Sequence, residues 1–355
     1  MATEYKYLGV LLEEHLDYKA TTELVGKAAT RALGVIIAKS KMMGGLPFKI
    51  FNKLYTSTVM PIIEYGASIW GMKEYSAINN VYNRACRYFL GLGKYSPNAS
   101  SHGDTAITPP CIFQWKAALR QLSRFTSMEN ARINKKVFQW AFRAGKNCCR
   151  NSYFFIIHRL KKAHQEQIVT KITNGERITK NYLLSAIIPS VQDEFTEKWR
   201  DKVNSDIGTS RKGGNKLRCY KLFKQDFKTE LYVSIPMPRS HRTALAKFRS
   251  GTAPLQMETG RYEGMPIQER ICPLCQKEIE TEMHCLLICN KLDDFRQPLL
   301  DYVSRICDID IQFNDMQHID QFKYLMSSGN AYIVRKVAKT CFTLLKQRRL
   351  LLNAI

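Results

Sequence analysis

Residues 17–41 read DYKATTELVGKAATRALGVIIAKSK, and this stretch decides the fold class. Leu24, Ala28, Ala32, Ile36 and Ile37 recur at the spacing of one helical face, and Asp17 is placed to cap the helix they predict. Met43-Gly44-Gly45-Leu46-Pro47 ends it. A second helix is expected from Pro47 to Gly66, carrying Phe51, Leu54, Tyr55, Val59 and Ile62, with a kink at Pro61. A third is expected from Ser76 to Leu92. Upstream, Tyr5 to Leu12 alternates and is rich in aromatic and branched residues, the pattern of a short strand or hairpin arm.

Downstream, the turn-rich run from Ser96 to Gly103, followed by Pro109-Pro110, reads as a boundary. Basic amphipathic helices are then expected over 112–205, with Trp115, Leu119, Leu122, Phe125, Val137, Phe138, Trp140 and Phe142 as core. Gly208 to Lys216 reads as a loop, followed by a basic helix to Val233 and another over Arg239–Arg249. Two more are expected, near Phe295–Cys307 and from Ala331 to Leu352. The fold class is therefore mainly α. It comprises a short N-terminal strand or hairpin, a helical bundle (1–95), a basic helical region (96–250) and a small C-terminal knuckle with helices (251–355).

Hydrophobic residues make up 45% of the chain, enough for real cores. No apolar run approaches the roughly 20 residues that span a bilayer. Met1 to Lys6 is too polar for a secretory signal, so an intracellular protein is expected, in nucleus or cytoplasm. The formal charge is +23, from 54 basic and 31 acidic residues. It is concentrated: residues 101–250 hold 29 basic and 11 acidic side chains, net +18, whereas residues 251–355 hold 13 of each. Such a concentration favours a polyanionic partner over a merely solvated surface. No single strongly amphipathic basic helix stands out for an anionic membrane.

There are 11 cysteines, an odd number, so a disulfide framework is not expected in a reducing compartment. Seven of them (Cys86, Cys111, Cys148, Cys149, Cys219, Cys307 and Cys341) lack ligand spacing and read as small buried hydrophobes. The other four lie at 272–289. Cys272-Pro-Leu-Cys275 with His284 and Cys289 has the form Cys-x2-Cys-x8-His-x4-Cys. A two-residue gap turns both thiolates toward one ion, and the His-x4-Cys pair closes a tetrahedron. Three thiolates and an imidazole leave no open position, so one structural zinc ion is expected. Cys285 is an alternative ligand, although its place beside Leu286 and Leu287 points it into the local core.

Several blocks resemble one family. They are Tyr5-Lys6-Tyr7-Leu8-Gly9-Val10, Ala32-Leu33-Gly34, Leu54-Tyr55 and Pro61 to Gly71, then Arg84 to Gly91, Lys94 to Ala99, Ala244 to Arg249, Glu258 to Glu263, and the cysteine–histidine cluster followed by Phe295-Arg296. Their order and content are similar to the region past the palm in reverse transcriptases of LINE-type, jockey-like non-LTR retrotransposons. The resemblance implies that Tyr7-Leu8-Gly9 is the hairpin gripping the primer strand. It implies that residues 17–95 are a thumb-like helical domain on an RNA–DNA duplex, and that the remainder holds template RNA or target DNA.

The carboxylates that hold two metal ions for polymerisation lie, in that family, before the Tyr-Leu-Gly block, and only six residues precede Tyr7 here. Asp293-Asp294 reads instead as a helix start. On its own the chain is expected not to be an enzyme. The expected function is nucleic-acid binding to RNA, an RNA–DNA hybrid or DNA, with a polymerase palm or another retroelement protein as a further partner. Phosphate contacts are assigned to Lys135, Lys136, Arg143, Lys146, Arg150, Arg159, Lys161, Lys162, Arg211, Lys212, Lys216 and Arg218, extended by Lys221 and Lys224. The aromatics Tyr153, Phe154, Phe155, Tyr220 and Phe223 among them can stack on bases or serve as core. The alternative is a domesticated zinc-dependent protein-interaction adaptor. A nuclease ranks low, because no Pro-Asp … Asp/Glu-x-Lys arrangement is found.

Overall fold

The computed structural model describes residues 4–13, 16–145, 152–205, 216–306 and 313–354. It is mainly helical, with one antiparallel hairpin of β1 (Glu4–Tyr7) and β2 (Val10–Glu13). Tyr7 pairs with Val10, so the turn is Leu8-Gly9, and both turn residues have positive φ, 46° and 84°. That is the two-residue geometry whose twist matches the strands, and glycine adopts it without steric cost.

The helices follow as α1 (Lys19–Met42), α2 (Phe48–Leu54), α3 (Met60–Glu64), α4 (Ala67–Trp70), α5 (Ser76–Leu90), α6 (Asn98–Thr105), α7 (Pro110–Thr126), α8 (Ile133–Ala144), α9 (Ser152–Lys162), α10 (Glu166–Thr173) and α11 (Lys180–Asn204). The short α12 (Tyr220–Phe223) and α13 (Leu231–Ser234) come next, then α14 (Arg239–Arg249), α15 (Gln256–Tyr262), α16 (Asp293–Ile306), α17 (His318–Ser327) and α18 (Ala331–Asn353). Among the described residues no helix is long and apolar enough to cross a membrane.

Two compact units divide the chain. One comprises Met1–Leu46, Ile50–Ala85 and Thr108–Glu197; the other comprises Pro47–Lys49, Cys86–Ile107 and Lys198–Ile355. The stretches expected from sequence, 1–95, 96–250 and 251–355, are consecutive, whereas each unit gathers segments distant in the chain.

Within the first unit, α1 has the expected length, and its buried face is turned from the expected one: of that face Ile36 is buried and Ala28, Ala32 and Ile37 are half-buried. Its buried stripe is Thr22, Gly26, Ala29, Leu33, Ile36 and Ser40, while Leu24 is exposed. Small residues decide this. A Cβ on Gly26 would lie 3.1 Å from the Ala77 methyl and carbonyl, so the helix is approached more closely than a larger residue permits. Thr21 Oγ1 donates to the Leu11 carbonyl (2.8 Å) and accepts from its N–H (2.9 Å), joining β2 to the first turn. Asp17 accepts from Lys19 N–H at 2.8 Å, but the N-cap is Tyr18, in the left-handed region at φ 58°, rather than the expected Asp17. The second expected helix is interrupted by a π-helical turn, Tyr55–Val59, directly before Met60-Pro61. The wider turn accommodates a proline that has no N–H to donate.

Trp115, Leu119, Leu122, Phe138, Phe142, Ile156, Leu160, Ile168, Leu183 and Ile187 build a core, with Phe125 packed against it. Val137 and Trp140, expected in that core, lie instead on the outer face of α8, where Trp140 is 73% exposed. They share that face with Ile133, because residues 133, 137 and 140 follow one helical stripe and Phe138 and Phe142 take the other.

In the second unit, α6 corrects the expectation of a boundary at 96–103. Ser100, Ser101, Gly103, Asp104 and Thr105 are buried. Their small side chains make a thin helix: a Cβ on Gly103 would meet Tyr220 Oη at 2.5 Å and Trp199 Cζ2 at 2.6 Å. Each hydroxyl is satisfied by a carbonyl of the preceding turn, Ser100 by Pro97, Ser101 by Asn98 and Thr105 by Ser101. The basic helix expected up to Val233 is reduced to the single turns α12 and α13. By contrast, α14 spans the expected Arg239–Arg249.

Candidate metal centre and basic surface

The Cys272–Cys289 segment forms a compact loop closed by an antiparallel bridge between Ile271 and Ile279. Cys272 N–H donates to the Glu278 carbonyl (2.7 Å), and Gln276 N–H donates to the Cys272 carbonyl (2.8 Å). Gln276 turns the chain with φ 54°. The backbone N–H groups of Leu274 and Cys275 point at the Cys272 sulfur, and that of Lys291 points at Cys289. Such donors favour thiolate over thiol.

The second half comes from a π-helical turn, His284–Ile288, that ends at Cys289, whose N–H donates to the His284 carbonyl at 2.9 Å. The result brings all four expected ligands together, with their donor atoms within 4.8 Å of one another. Cys272 and Cys289 sulfurs are 3.8 Å apart, and Cys275 Sγ is 3.4 Å from His284 Nε2. A tetrahedral ion with metal–sulfur bonds of about 2.3 Å has sulfur–sulfur edges of about 3.8 Å, the length of the Cys272–Cys289 edge. These four side chains could hold a metal ion.

The other ring nitrogen of His284, Nδ1, lies 3.3 Å from Glu278 Oε2, an acidic partner that orients the imidazole and fixes Nε2 as the ligating atom. Burial opposes the charged form of His284, but its contacts with Cys272, Glu278 and Cys275 outweigh this and raise it to about 9. Cys272 is pushed up to about 12, first by Cys289 and then by burial, while the same contact lowers Cys289. A divalent cation replaces those shared protons and favours thiolates with neutral imidazole.

The surroundings tie the loop down. Glu280, fully buried, accepts from Arg348 Nε (2.5 Å) and Nη2 (2.6 Å) of α18 and from Gln256 N–H (2.5 Å). Arg218 Nη2 donates to both carboxylate oxygens of Glu282, at 2.6 and 2.7 Å. Arg296 of α16 is buried and donates to the Cys289 carbonyl, and Asp293 pairs with it at 3.2 Å. The pair Asp293-Asp294 starts α16, as expected. Cys285 lies in the core, and burial holds its thiol well above the ordinary range. Cys86, Cys219 and Cys341 are buried as well, and Cys111 is half-buried. Cys148, Cys149 and Cys307 lie outside the described residues.

The cations assigned to phosphate are of two kinds. Lys135 is 1% exposed, and its Nζ donates to the carbonyls of Thr126 (2.8 Å) and Phe125 (3.2 Å), closing the C-terminus of α7. Arg159 pairs with Glu194 at 2.6 Å and lies over the Trp115 ring. Lys216 pairs with Glu258 at 2.8 Å, Arg218 with Glu282, and Lys224 with Glu230. These five hold the fold rather than face solvent. Lys162 also reaches Glu194, but from an exposed position. Lys136, Arg143 and Lys161 are exposed. Lys146, Arg150, Arg211 and Lys212 lie outside the described residues.

Tyr7, Leu8 and Gly9 form the exposed hairpin turn, with the Leu8 carbonyl accepting from Tyr65 Oη at 2.5 Å. Tyr220 is buried core, Phe223 packs against it, and Tyr153 and Phe155 pack against the first unit's core. Sequence reasoning missed Glu278 and Glu280, and the basic lining of α14 and α18. The exposed Trp140, beside Lys136 and Arg143 on α8, was read as core. No protein-family model, curated protein or solved structure matches the chain.

Proposed function

We propose that this chain is a zinc-stabilised nucleic-acid-binding segment, of the kind that follows the palm in non-LTR retrotransposon reverse transcriptases, without a polymerase centre of its own. The observation that carries the reading is the Cys272, Cys275, His284 and Cys289 constellation, whose donor spacing suits a closed tetrahedral site. Zinc is the ion best suited to three thiolates and one imidazole, and a site with no open position serves structure rather than catalysis. Bound there, zinc supplies a cross-link between the Cys272–Cys275 turn and the His284–Cys289 turn. The residues around it, Glu278, Arg296 and the Glu280–Arg348 pair, orient that cross-link and anchor it to α16 and α18.

The excess positive charge of residues 101–250 supports a polyanionic partner. In the first unit, exposed Lys136, Arg143 and Lys161 are available to phosphates, while Lys162 is shared with Glu194. Trp140, one helical turn from both Lys136 and Arg143 on α8, is a flat surface on which an unpaired base can stack. Tyr7, Leu8 and Gly9 present an exposed turn whose backbone can lie against a strand.

The test is binding of a labelled RNA–DNA hybrid across a salt series. Three phosphate contacts give a slope of about −2.7 in log affinity against log salt on a duplex. A slope near zero, or no binding, contradicts the reading. Salt-insensitive capture of a protein favours the adaptor alternative.

A further inference from the structure

A second basic feature lies in the second unit, apart from the residues assigned individually to phosphate contact. Helices α14 and α18 pack together, and the C-terminal turn of α5 closes one end of the space beside them. The closeness depends on Gly91: with φ 71°, it sits where a Cβ would be 2.1 Å from Thr243 Oγ1. The space is a cavity of about 810 Å³.

Its wall is cationic, and no acidic residue lines it. Arg239 and Arg348 are already held, Arg239 over the Tyr88 ring at 4.5 Å and Arg348 by Glu280. Lys247, Lys346 and Arg349 have no acidic partner among the described residues and converge on the same opening. Ser240 and Thr243 add hydroxyls, while Phe342, Leu345 and Pro254 form an apolar floor.

Three unneutralised cations beside two hydroxyls and an apolar floor make a place where a phosphate can be held and a ring covered. We propose that this cavity binds a nucleoside phosphate, with Lys247, Lys346 and Arg349 on the phosphate and the Phe342–Leu345 floor under the base. The ligand is either a free nucleotide or one unit of a single strand, and in the latter form the proposal rests on the nucleic-acid reading above. Charge-assisted hydrogen bonds to phosphate are the stronger kind, and a few of them suffice to fix such a ligand. A cavity of this size accommodates one nucleotide, within the roughly 300–1,000 Å³ usual for small-ligand sites. Arg348 joins this wall to the metal loop through Glu280, so a loaded metal centre holds α18 where the cavity needs it.

The test uses the full zinc-loaded chain and the double variant Lys247→Glu/Arg349→Glu, with Lys323→Glu/Lys336→Glu, outside the cavity lining, as a control of equal net charge. The probes are fluorescein-labelled oligothymidylate and inorganic tripolyphosphate, with zinc content measured throughout. The cavity variant is expected to bind oligothymidylate weaker by tenfold or more, on the order of one charge-assisted contact. Its salt slope should fall by about 0.7, the value for one phosphate of a single strand. Displacement of the strand by tripolyphosphate assigns the cavity to free phosphate. Resistance to displacement, with the same loss in the variant, assigns it to a strand.

Unchanged binding of both probes by the cavity variant overturns the proposal, and so does an equal loss in the control. If the variant loses nothing while the hybrid still binds with a steep salt slope, only the cavity assignment falls. If no nucleic acid binds but tripolyphosphate does so through Lys247 and Arg349, the cavity stands and the wider reading falls.

Discussion

Replacing Arg249 by Met should unfold the second unit far more readily, because it strands a buried carboxylate. Arg249 is 1% exposed and donates through Nε to Asp104 Oδ2 (2.9 Å) and through Nη2 to Oδ1 (2.8 Å). It also reaches Glu230 at 3.2 Å, the Met326 carbonyl of α17 and the face of Phe223. Asp104 itself is completed by Tyr232 Oη (2.7 Å) and Tyr220 Oη (3.0 Å). One guanidinium therefore links α6, α12, α13, α14 and α17. Methionine keeps much of the stem's volume but removes the charge, leaving Asp104 with two hydroxyls and only Lys224, which is bonded to Glu230, as a nearby cation. Breaking a buried pair from one side costs about 3–5 kcal/mol. The Asp104→Asn/Arg249→Met variant removes the stranded charge as well, so its cost should fall short of the sum of the two single changes by about 2 kcal/mol or more. Urea unfolding followed by tryptophan emission reads both quantities, since Trp199, hydrogen-bonded to the Ala99 carbonyl, belongs to the same unit. A cost below about 1 kcal/mol for Arg249→Met, or strict additivity in the cycle, refutes the reasoning.

The same network sets an acid limit. Burial alone would raise the Asp104 carboxyl, but Arg249 outweighs it and holds it below its ordinary value. The folded state thus binds this proton less readily than the unfolded one, and its contribution is present above about pH 4 and lost as pH falls below that. Stability titrated from pH 7 to pH 3 should drop in that window in wild type and less in Asp104→Asn. Lys135→Ala should destabilise the first unit by about 1–2 kcal/mol, because it releases the carbonyls ending α7, and should leave hybrid affinity unchanged; Lys136→Glu should do the reverse. Thermal melts beside binding curves separate the two. Gly103→Ala should cost about 1–3 kcal/mol by overpacking against Trp199 and Tyr220, measurable as a lower urea midpoint; a neutral result would mean that α6 is not buried as described.

What could be read from sequence followed the range of the interactions involved. The metal ligands lie within one local loop, so spacing alone was enough to gather them, and α14 was bounded by its own periodicity. The buried face of α1 was legible only in part, because Gly26, Ala29 and Ser40 are buried for their smallness and hydrophobicity points instead to Leu24. For the same reason α6, with its Asn-Ala-Ser-Ser-His-Gly sequence, looked like a connection while lying in a core. The role of a lysine depends on partners far along the chain: Lys216 meets Glu258, and Arg218 meets Glu282. Composition counts such residues as free charge, whereas the fold has already used them. Glu280 shows the converse, since an acidic linker residue becomes a buried anchor only once Arg348 of α18 reaches it.

The account depends most on a single closed metal site, and metal analysis of the full chain tests it directly. After dialysis against metal-free buffer, wild type should retain one equivalent of zinc, and Cys272→Ser/Cys275→Ser should retain essentially none. A wild-type chain that folds without metal, or a double variant that keeps its zinc, would contradict it.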